Sequence, residues 1–277
     1  MPPAAGRSKT IQHQGDNVSA NIHPTAIIDS SAEIGSDVII GPYCVIEKDV
    51  VVGDRTELHS HIVLMSGTRI GRDCKVSPGA VLGNVPQDLK FGGEESELII
   101  GDRTTIREFC TLNRGTEHGG STTRVGSDCL LMAYSHVAHD CSVGDNVILA
   151  NGVNMAGHVV IEDNVGISGL TVIHQFTHIG QYAYIGGGSK VSQDVPPYIL
   201  TSSDPLAYYG PNSVGLRRKG FTGAQISEIK RAYHYIYRTK LNLSQAIEAI
   251  KTELSESEVV KNILTFIERS ERGLIGR

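Results

Sequence analysis

The chain has 277 residues, a formal net charge of −5, 31 glycines and no tryptophan. A net negative charge argues against nucleic-acid binding, which needs a basic face. We expect no membrane span and a cytoplasmic location, because neither a span of roughly 18 apolar residues nor an apolar signal-peptide core occurs. Residues 1–20 are polar and aperiodic, and we predict a mobile N-terminal extension there.

An apolar residue recurs at every sixth position of the chain. The first run extends from Ile22 to Leu82, and the last extends from Val125 to Val191. A strict period of six is typical of a solenoid with three short strands per coil, because each sixth side chain points into the tube. Three hexads make one coil, so residues about 18 apart lie over one another in successive coils.

Two interruptions break this repeat, at residues 84–98 and 113–124. The same repeat continues on both sides, which predicts loops ejected from one β-helix rather than domain boundaries. Counting faces places Leu82 and Leu112, which precede the loops, on the same face as Val137. Both loops therefore leave at the end of one face, and long loops in a minimal solenoid are commonly functional.

Glycines and cysteines occupy fixed places in the hexads. Gly35, Gly41 and Gly53 each follow a sixth-position residue, which predicts tight corners at these glycines. The five cysteines each lie four places after a sixth-position residue, where a small inward-facing side chain is expected. No Cys-x-x-Cys spacing indicates zinc, so we interpret the cysteines as buried filler.

The β-helix is predicted to cover residues 21–197, because the repeat ends near Val191 and Pro196 and Pro197 disfavour further strand pairing. Residues 198–277 are interpreted as a connector and a small C-terminal α-helical domain. Three helices are predicted, at about residues 223–239, 243–254 and 256–270. The capping boxes that begin them pair Thr222 with Gln225, Asn242 with Gln245 and Ser255 with Glu258.

Histidines cluster on the face from which both loops leave. Residues 18 apart put His139, Gly157 and Gln175 in one column, with steps of about 4.8 Å. Three more histidines fall on the same edge: His136, His158 and His174. A lone histidine would be interpreted as solvent-facing, but four beside two loops indicate a site.

Two chemistries fit such a cluster. Histidines that meet across a subunit boundary could hold zinc, as in a hexapeptide-repeat carbonic anhydrase. Alternatively, one histidine is a general base oriented by a carboxylate, for which Asp140 is a candidate if a corner brings it beside His139. Acyl transfer also needs a donor for the developing oxyanion, which the backbone N–H of Gly157 could supply.

Ordered motifs extend across both loops, the histidine face and the C-terminal region. They are Gln-Asp-Leu-Lys at 87–90, Asn-Arg-Gly-Thr at 113–116, His-Val-Ala-His-Asp-Cys at 136–141, Ala-Gly-His at 156–158, His-Gln-Phe at 174–176 and Gly-Leu-Arg-Arg-Lys-Gly-Phe at 215–221. With this set, the chain over about residues 21–277 resembles the UDP-N-acetylglucosamine O-acyltransferase family.

The resemblance implies a mainly β fold, a left-handed parallel β-helix with a C-terminal α-helical domain, assembled as a homotrimer with active sites between subunits. It implies transfer of a 3-hydroxyacyl chain from acyl carrier protein to the glucosamine 3-hydroxyl of UDP-N-acetylglucosamine, the first step of lipid A biosynthesis. No cofactor and no metal are expected. It makes His139 the general base, Asp140 its partner and Gly157 the oxyanion donor. The substrate-binding residues it implies are Asp88, Lys90, His136, His158, His174, Gln175, Gly187, Asn212 and Arg218.

Competing functions explain the sequence less well. The N-acyltransferase of the same pathway would need a uridine-binding domain before the repeat, which already begins at Ile22. A carbonic anhydrase explains the histidines but not Lys90 or the C-terminal helices. A scaffolding or ice-binding solenoid would show a flat face with repeated threonines.

Some features stay open at this level. The run from Ser203 to Leu206 replaces a Gly-Asn-x-Ala run that the family has near the acyl groove, so the acyl length stays open. Separately, Ser168 replaces a common glycine. The acceptor could carry a 3-hydroxyl or a 3-amino group. We expect an acidic carrier protein to dock on a basic cluster that consists of Arg217, Arg218, Lys219, Lys230 and Arg231.

Overall fold

A computed structural model describes residues 20–254 and 256–276. Within these ranges, three mostly parallel sheets wind around one hydrophobic core as a left-handed parallel β-helix, which confirms the predicted fold class. Away from the loops, paired residues in neighbouring coils are 18 apart, as in the pairing of Asn154 with Val172. The predicted N-terminal extension up to residue 19, and Ser255 of the third capping box, lie outside the described residues.

Up to Lys190–Val191, successive strands belong to sheets 1, 2 and 3 in turn. Sheet 1 contains Asn21–Ile22, Ile39–Ile40, Glu57–Leu58, Lys75–Val76, Thr105–Ile106, Leu130–Leu131, Ile148–Leu149, Gly166–Ile167, Tyr184–Ile185, Ile199–Ser202 and Ala207–Pro211. Sheet 2 contains Ile27–Ile28, Val45–Ile46, Val63–Leu64, Val81–Asn84, Thr111–Asn113, His136–Val137, Asn154–Met155, Val172–Ile173 and Lys190–Val191. Sheet 3 contains Glu33–Ile34, Val51–Val52, Thr68–Ile70, Glu97–Ile100, Thr122–Val125, Ser142–Val143, Val160–Ile161 and His178–Ile179.

The corners between sheets depend on left-handed backbone two residues after the glycines that were expected to form them. Asp37 and Tyr43 have φ values of 57° and 60°, whereas Gly35 and Gly41 have ordinary negative φ. At Gly35 and Gly41, the predicted reason for glycine, a tight corner at the glycine itself, was therefore wrong. A Cβ at Gly41 would lie 2.5 Å from the carbonyl oxygen of His59, so glycine is required by close approach of the next coil. The five cysteines are buried and free, which confirms their interpretation as filler.

Both long loops leave from sheet 2, as the face count predicts. The first connects Asn84 to Glu97, and the second connects Asn113 to Thr122 and contains a 3₁₀ turn, Glu117–Gly119. Asn113, which is buried, donates a hydrogen bond of 2.8 Å from its side-chain amide to the carbonyl of Val85. This bond ties the beginnings of the two loops together.

The β-helix continues beyond the two prolines, contrary to prediction. After Pro197, the strand Ile199–Ser202 pairs in parallel with Tyr184–Ile185, and Ala207–Pro211 then pairs with it in antiparallel orientation. Proline interrupts the ladder only where its missing N–H is needed, and pairing resumes two residues later. The connector therefore extends sheet 1 instead of leaving it.

In the described residues that follow, the structure has four α-helices, one more than predicted. They are α1 (Ser213–Arg218), α2 (Gly223–Arg238), α3 (Leu243–Leu254) and α4 (Glu258–Arg269). The capping boxes of Thr222 and Asn242 form as predicted. Helix α4 begins two residues later than expected, after Ser257, whose side chain makes no capping hydrogen bond. In the described part of the chain, no helix is long and apolar enough to cross a membrane.

Candidate active site

The centre of the site is a pair of adjacent residues at the corner between sheets 2 and 3. Asp140 has a φ of 59°, and this left-handed corner turns its side chain toward that of His139 instead of onto the opposite face. Nδ1 of His139 lies 2.8 Å from Oδ2 of Asp140. The Asp140 side chain is 0% exposed and that of His139 is 13% exposed. The pair is thus largely removed from solvent.

The second loop supplies most of the partners of the Asp140 carboxylate. The backbone N–H of Thr116 donates to Oδ1 at 2.7 Å, and the Thr116 hydroxyl donates to Oδ2 at 2.6 Å. The backbone N–H of Asp140 in turn donates to the hydroxyl of Thr123 at 2.8 Å. Burial of a carboxylate is costly unless hydrogen-bond donors replace water, and three donors do so here, including His139.

Gly157 lies one coil below His139, as the column predicts. A Cβ at this position would be 2.7 Å from Nε2 of His139, so the imidazole ring occupies the space that a side chain would fill. Among the described residues, none accepts a hydrogen bond from the Gly157 backbone N–H. Gly157, which is in contact with the imidazole, therefore carries a backbone donor that the described residues leave unpaired.

Two further histidines flank this pair. His136 lies with Nδ1 2.8 Å from the hydroxyl of Thr111, and burial lowers its pKa below the ordinary histidine value. His158 stacks on Phe176 with ring centroids 4.6 Å apart and meets His139 edge-on. Burial also lowers the pKa of His158, against the opposing effect of Asp140. Both histidines therefore tend to stay neutral near pH 7.

The first loop adds an acidic group at the rim. Asp88 accepts a hydrogen bond of 2.9 Å from the backbone N–H of Lys90, and this bond is the main reason why its pKa is lowered. Nε2 of His118, from the second loop, lies 3.7 Å from the Asp88 carboxylate. The Lys90 side chain is exposed.

The remaining predicted residues are not brought to His139 within one chain. His174 and Gln175 lie on the same edge, one coil below Gly157 and therefore two coils below His139. Both residues are exposed. Gly187 lies at the corner between sheets 1 and 2. Asn212 caps α1 and donates to the Tyr182 carbonyl at 3.1 Å, at the corner between sheets 3 and 1.

The predicted basic cluster is only partly free. Arg217, Arg218 and Lys219 are exposed at the end of α1, near the same corner as Asn212. Arg231 of α2 instead lies 3.2 Å from Glu253 of α3. The exposed side chains at the end of α1 are therefore the part of the cluster that is most accessible to an acidic partner.

The side chains of His139, Asp140 and His158 also form a candidate site for a metal ion. One ligand atom each of His139, Asp140 and His158 lie within 4.8 Å of one another. However, Oδ2 of Asp140 already accepts hydrogen bonds from Thr116 and His139, and His158 is stacked face to face on Phe176. The donor set is therefore arranged for a proton-transfer pair, with the carboxylate oriented toward an imidazole N–H.

Thr116 and Gly119 are site residues that sequence reasoning missed. A Cβ at Gly119 would lie 1.9 Å from Cγ of Asp140, so only glycine lets the 3₁₀ turn close over the carboxylate. Two signals were present in the sequence: the second loop leaves the same face as His139, and the Asn-Arg-Gly-Thr motif at 113–116 contains Thr116 without assigning it a role. Periodicity predicts where a loop leaves but not which of its residues returns to the site.

A β-helix of hexads with a buried histidine–carboxylate pair at one corner defines the class of hexapeptide-repeat transferases. A family model described as bacterial transferase hexapeptide (six repeats) matches residues 122–157. A second, described as UDP N-acetylglucosamine O-acyltransferase, domain 2, matches residues 194–275.

Individual relatives agree with these matches. The acyl-[acyl-carrier-protein]--UDP-N-acetylglucosamine O-acyltransferase of Halorhodospira halophila is 46% identical over 254 residues, which are 92% of this chain and 98% of that protein. The solved UDP-N-acetylglucosamine acyltransferase of Francisella novicida has a TM-score of 0.90 and 37% identity, with 92% of this chain and 94% of that chain covered. That of Bacteroides fragilis has a TM-score of 0.89 and 44% identity, with 92% and 99% covered. The chain belongs to the UDP-N-acetylglucosamine O-acyltransferase family.

The contact between Gly157 and His139 yields a first prediction. Gly157→Ala places a methyl group 2.6 Å from the imidazole, so the ring must move. We expect acyltransferase kcat to fall by about 10²-fold, the scale of a 1 Å displacement of a catalytic group. Gly223→Ala is the control, because a Cβ at that helical glycine meets nothing within 4 Å. Equal activities of the two variants in a steady-state assay would contradict the arrangement.

Proposed function

We propose that this protein transfers a 3-hydroxyacyl chain from acyl carrier protein to the glucosamine 3-hydroxyl of UDP-N-acetylglucosamine, the first step of lipid A biosynthesis, with His139 as the general base. The observation that carries the mechanism is the hydrogen bond from Nδ1 of His139 to the buried Asp140 carboxylate, directly above the free N–H of Gly157. Both substrates are water-soluble, and we place the reaction in the cytoplasm. The acyl thioester supplies the only activated group, so no cofactor is needed.

The tautomer of His139 defines the path of the proton in the reaction. Donation from Nδ1 to Asp140 leaves Nε2 as an acceptor, which removes the proton from the sugar hydroxyl. The hydroxyl oxygen attacks the thioester carbonyl, and the N–H of Gly157 stabilises the oxyanion. Collapse of the tetrahedral intermediate breaks the carbon–sulfur bond, and the imidazolium returns its proton to the carrier thiolate. The products are the O-acylated sugar nucleotide and the carrier thiol.

The surrounding residues are assigned to substrate binding. Asp88 and Lys90 extend from the first loop above the pair and contact the sugar-nucleotide. His136 and His158, kept neutral by burial, offer hydrogen bonds without placing a second positive charge beside the base. His174 and Gln175, which lie further down the same edge, are assigned to the lower part of the site. Gly187 is assigned to the end of the path of the acyl chain.

We propose a homotrimer in which sheet 2 of one subunit faces sheet 1 of the next. Exposed apolar side chains concentrate along the corner between these sheets, where Tyr134 is 66% exposed and Leu170 is 74% exposed. The outward positions of both sheets continue this surface, with Ile148 on sheet 1 and Val172 on sheet 2. An apolar surface of this extent is typical of an interface. A threefold axis beside the corner would cover both faces.

This packing completes the active site. The far edge of sheet 2 carries His139, and the far edge of sheet 1 carries Asn212 and Arg218. When sheet 2 faces sheet 1 of a neighbour, these two edges meet. Asn212 and Arg218 then reach the substrate bound at His139 of the adjacent subunit, which one chain alone does not allow.

The general-base assignment predicts different effects at two histidines. His139→Ala should lower kcat by about 10²–10⁴-fold with little change in sugar-nucleotide binding, because it removes the base. His136→Ala should instead raise KM more than it lowers kcat, since its Nδ1 is engaged by Thr111 and not by a carboxylate. Steady-state kinetics across pH measure both effects, and the acid-side loss of kcat/KM should vanish from the residual activity of His139→Ala. Near-parent kcat in His139→Ala would refute the assignment, once circular dichroism shows both variants folded.

The shared site predicts complementation between two inactive variants. Each mixed trimer of His139→Ala and Arg218→Ala subunits contains one site with both residues intact. Random co-expression should therefore restore about one quarter of the parental activity. Light scattering checks that the mixed protein is trimeric. A mixture no more active than either variant alone, or a fully active monomer, would contradict the shared site.

If acidic acyl carrier protein docks at the end of α1, reversing a charge there should change the KM for that substrate. Lys219→Glu should raise KM for acyl carrier protein and reduce its dependence on salt, because rim charges act mainly on association and are screened. Lys240→Glu makes the same change in net charge beyond the other end of α2, a 16-residue helix about 24 Å long. It should leave KM unchanged. A parental KM that does not respond to salt would exclude this dock.

A further inference from the structure

Thr116 is a loop residue whose side chain is wholly buried in the site. It is 0% exposed, and both of its donors are directed at one group, the carboxylate of Asp140. The backbone N–H binds Oδ1 and the hydroxyl binds Oδ2. Because the two bonds hold both carboxylate oxygens, they fix the plane of the carboxylate as well as its position.

The hydroxyl of Thr116 shares its acceptor with the imidazole. Oδ2 accepts from the Thr116 hydroxyl at 2.6 Å and from Nδ1 of His139 at 2.8 Å. Hydrogen bonds to an ionised carboxylate are strong, and two donors on one oxygen divide its negative charge. The Thr116 hydroxyl therefore limits how far Oδ2 can stabilise a positively charged imidazole.

The local backbone holds this hydroxyl in place. The N–H of Gly119 donates to Oγ1 of Thr116 at 3.2 Å, where Thr116 caps the 3₁₀ turn Glu117–Gly119. The hydroxyl thus accepts from Gly119 and donates to Asp140, which defines the direction of its proton. Gly119 lies against the carboxylate where any Cβ would collide with it.

We propose that Thr116 is a positioning residue of the reaction, which acts through Asp140 to orient the His139 imidazole and to moderate its basicity. The proposal rests on the general-base role of His139. Loss of the hydroxyl leaves more charge on Oδ2 for the imidazolium, so the protonated, inactive form of the base persists to higher pH. The other titratable groups that face the pair are His136 on the preceding strand, His158 in the next coil, and Asp88 and His118 from the two loops. They are unchanged in a Thr116 variant.

The test compares Thr116→Val, Thr116→Ser and a matched threonine. Thr116→Val keeps the shape and the backbone N–H but removes the hydroxyl. We expect kcat to fall about tenfold with little change in KM for the sugar nucleotide, and the acid limb of kcat/KM to move up by about 0.5–1 pH unit, the scale of one hydrogen bond. Thr116→Ser keeps the hydroxyl and should restore both values.

Thr123→Val is the matched control. Thr123 is equally buried, and its hydroxyl binds the same residue, but at the backbone N–H of Asp140 rather than at the carboxylate. It should leave the acid limb in place even if it lowers thermal stability. Equal shifts in Thr116→Val and Thr123→Val, or a Thr116→Ser that behaves like Thr116→Val, would overturn the proposal. Thr116→Ala provides the same comparison if Thr116→Val does not fold.

A separate measurement distinguishes failure of this inference from failure of the general-base assignment. His139→Ala, assayed in parallel, tests the base itself. The NMR titration of the His139 imidazole, compared between parent and Thr116→Val, tests the effect of Thr116 without any activity. An unchanged titration overturns the role of Thr116 even where His139→Ala is inactive. A shifted titration together with an active His139→Ala overturns the general-base assignment and with it the role of Thr116 in the reaction, but leaves the effect of Thr116 on the imidazole.

Discussion

The stacking of coils in a fixed register is the constraint on which the rest of this structure depends. Each coil contributes one aliphatic side chain per face, such as Val137 above Met155, and these side chains fill the tube. Because paired strands hold neighbouring coils about 4.8 Å apart, any two residues in a column keep that separation. The imidazole of His139 can therefore rest on Gly157 without support from a flexible segment. A rigid column of this kind suits catalysis, because positioning costs nothing when the substrate binds.

The β-helix by itself would leave the side chains of His139 and Asp140 in solvent. Corner residues of a solenoid are at the surface, and a solvated carboxylate would orient an imidazole weakly. The second loop changes this environment, since Thr116 and the turn at Gly119 close over Asp140 and replace water with fixed donors. The register thus provides the spacing of the site, whereas the loop excludes water from it. Both are needed because burial without the donors would destabilise the ionised carboxylate.

The same register separates residues that the proposed reaction brings into one site. His139, Gly187 and Asn212 lie at three different corners of the prism, and no bend in a rigid β-helix can bring them together. The proposed trimer would bring together corners that the fold of one chain keeps apart. In the proposed trimer, the apolar faces of sheets 1 and 2 stabilise the oligomer and also bring two of these corners into one cleft. Stability and function then depend on the same interface.

The sequence by itself determined the fold, the face from which both loops leave, and the column of His139 and Gly157. It could do so because a strict repeat converts distance along the chain into position in space. The tertiary structure decided what the repeat does not encode. Gly41 is required by the approach of the next coil, a strand forms after Pro197, and Asp140 turns beside its neighbour because its backbone is left-handed. The contact of Thr116 with Asp140 joins residues 24 apart through an aperiodic loop, and only the folded path of that loop brings them together.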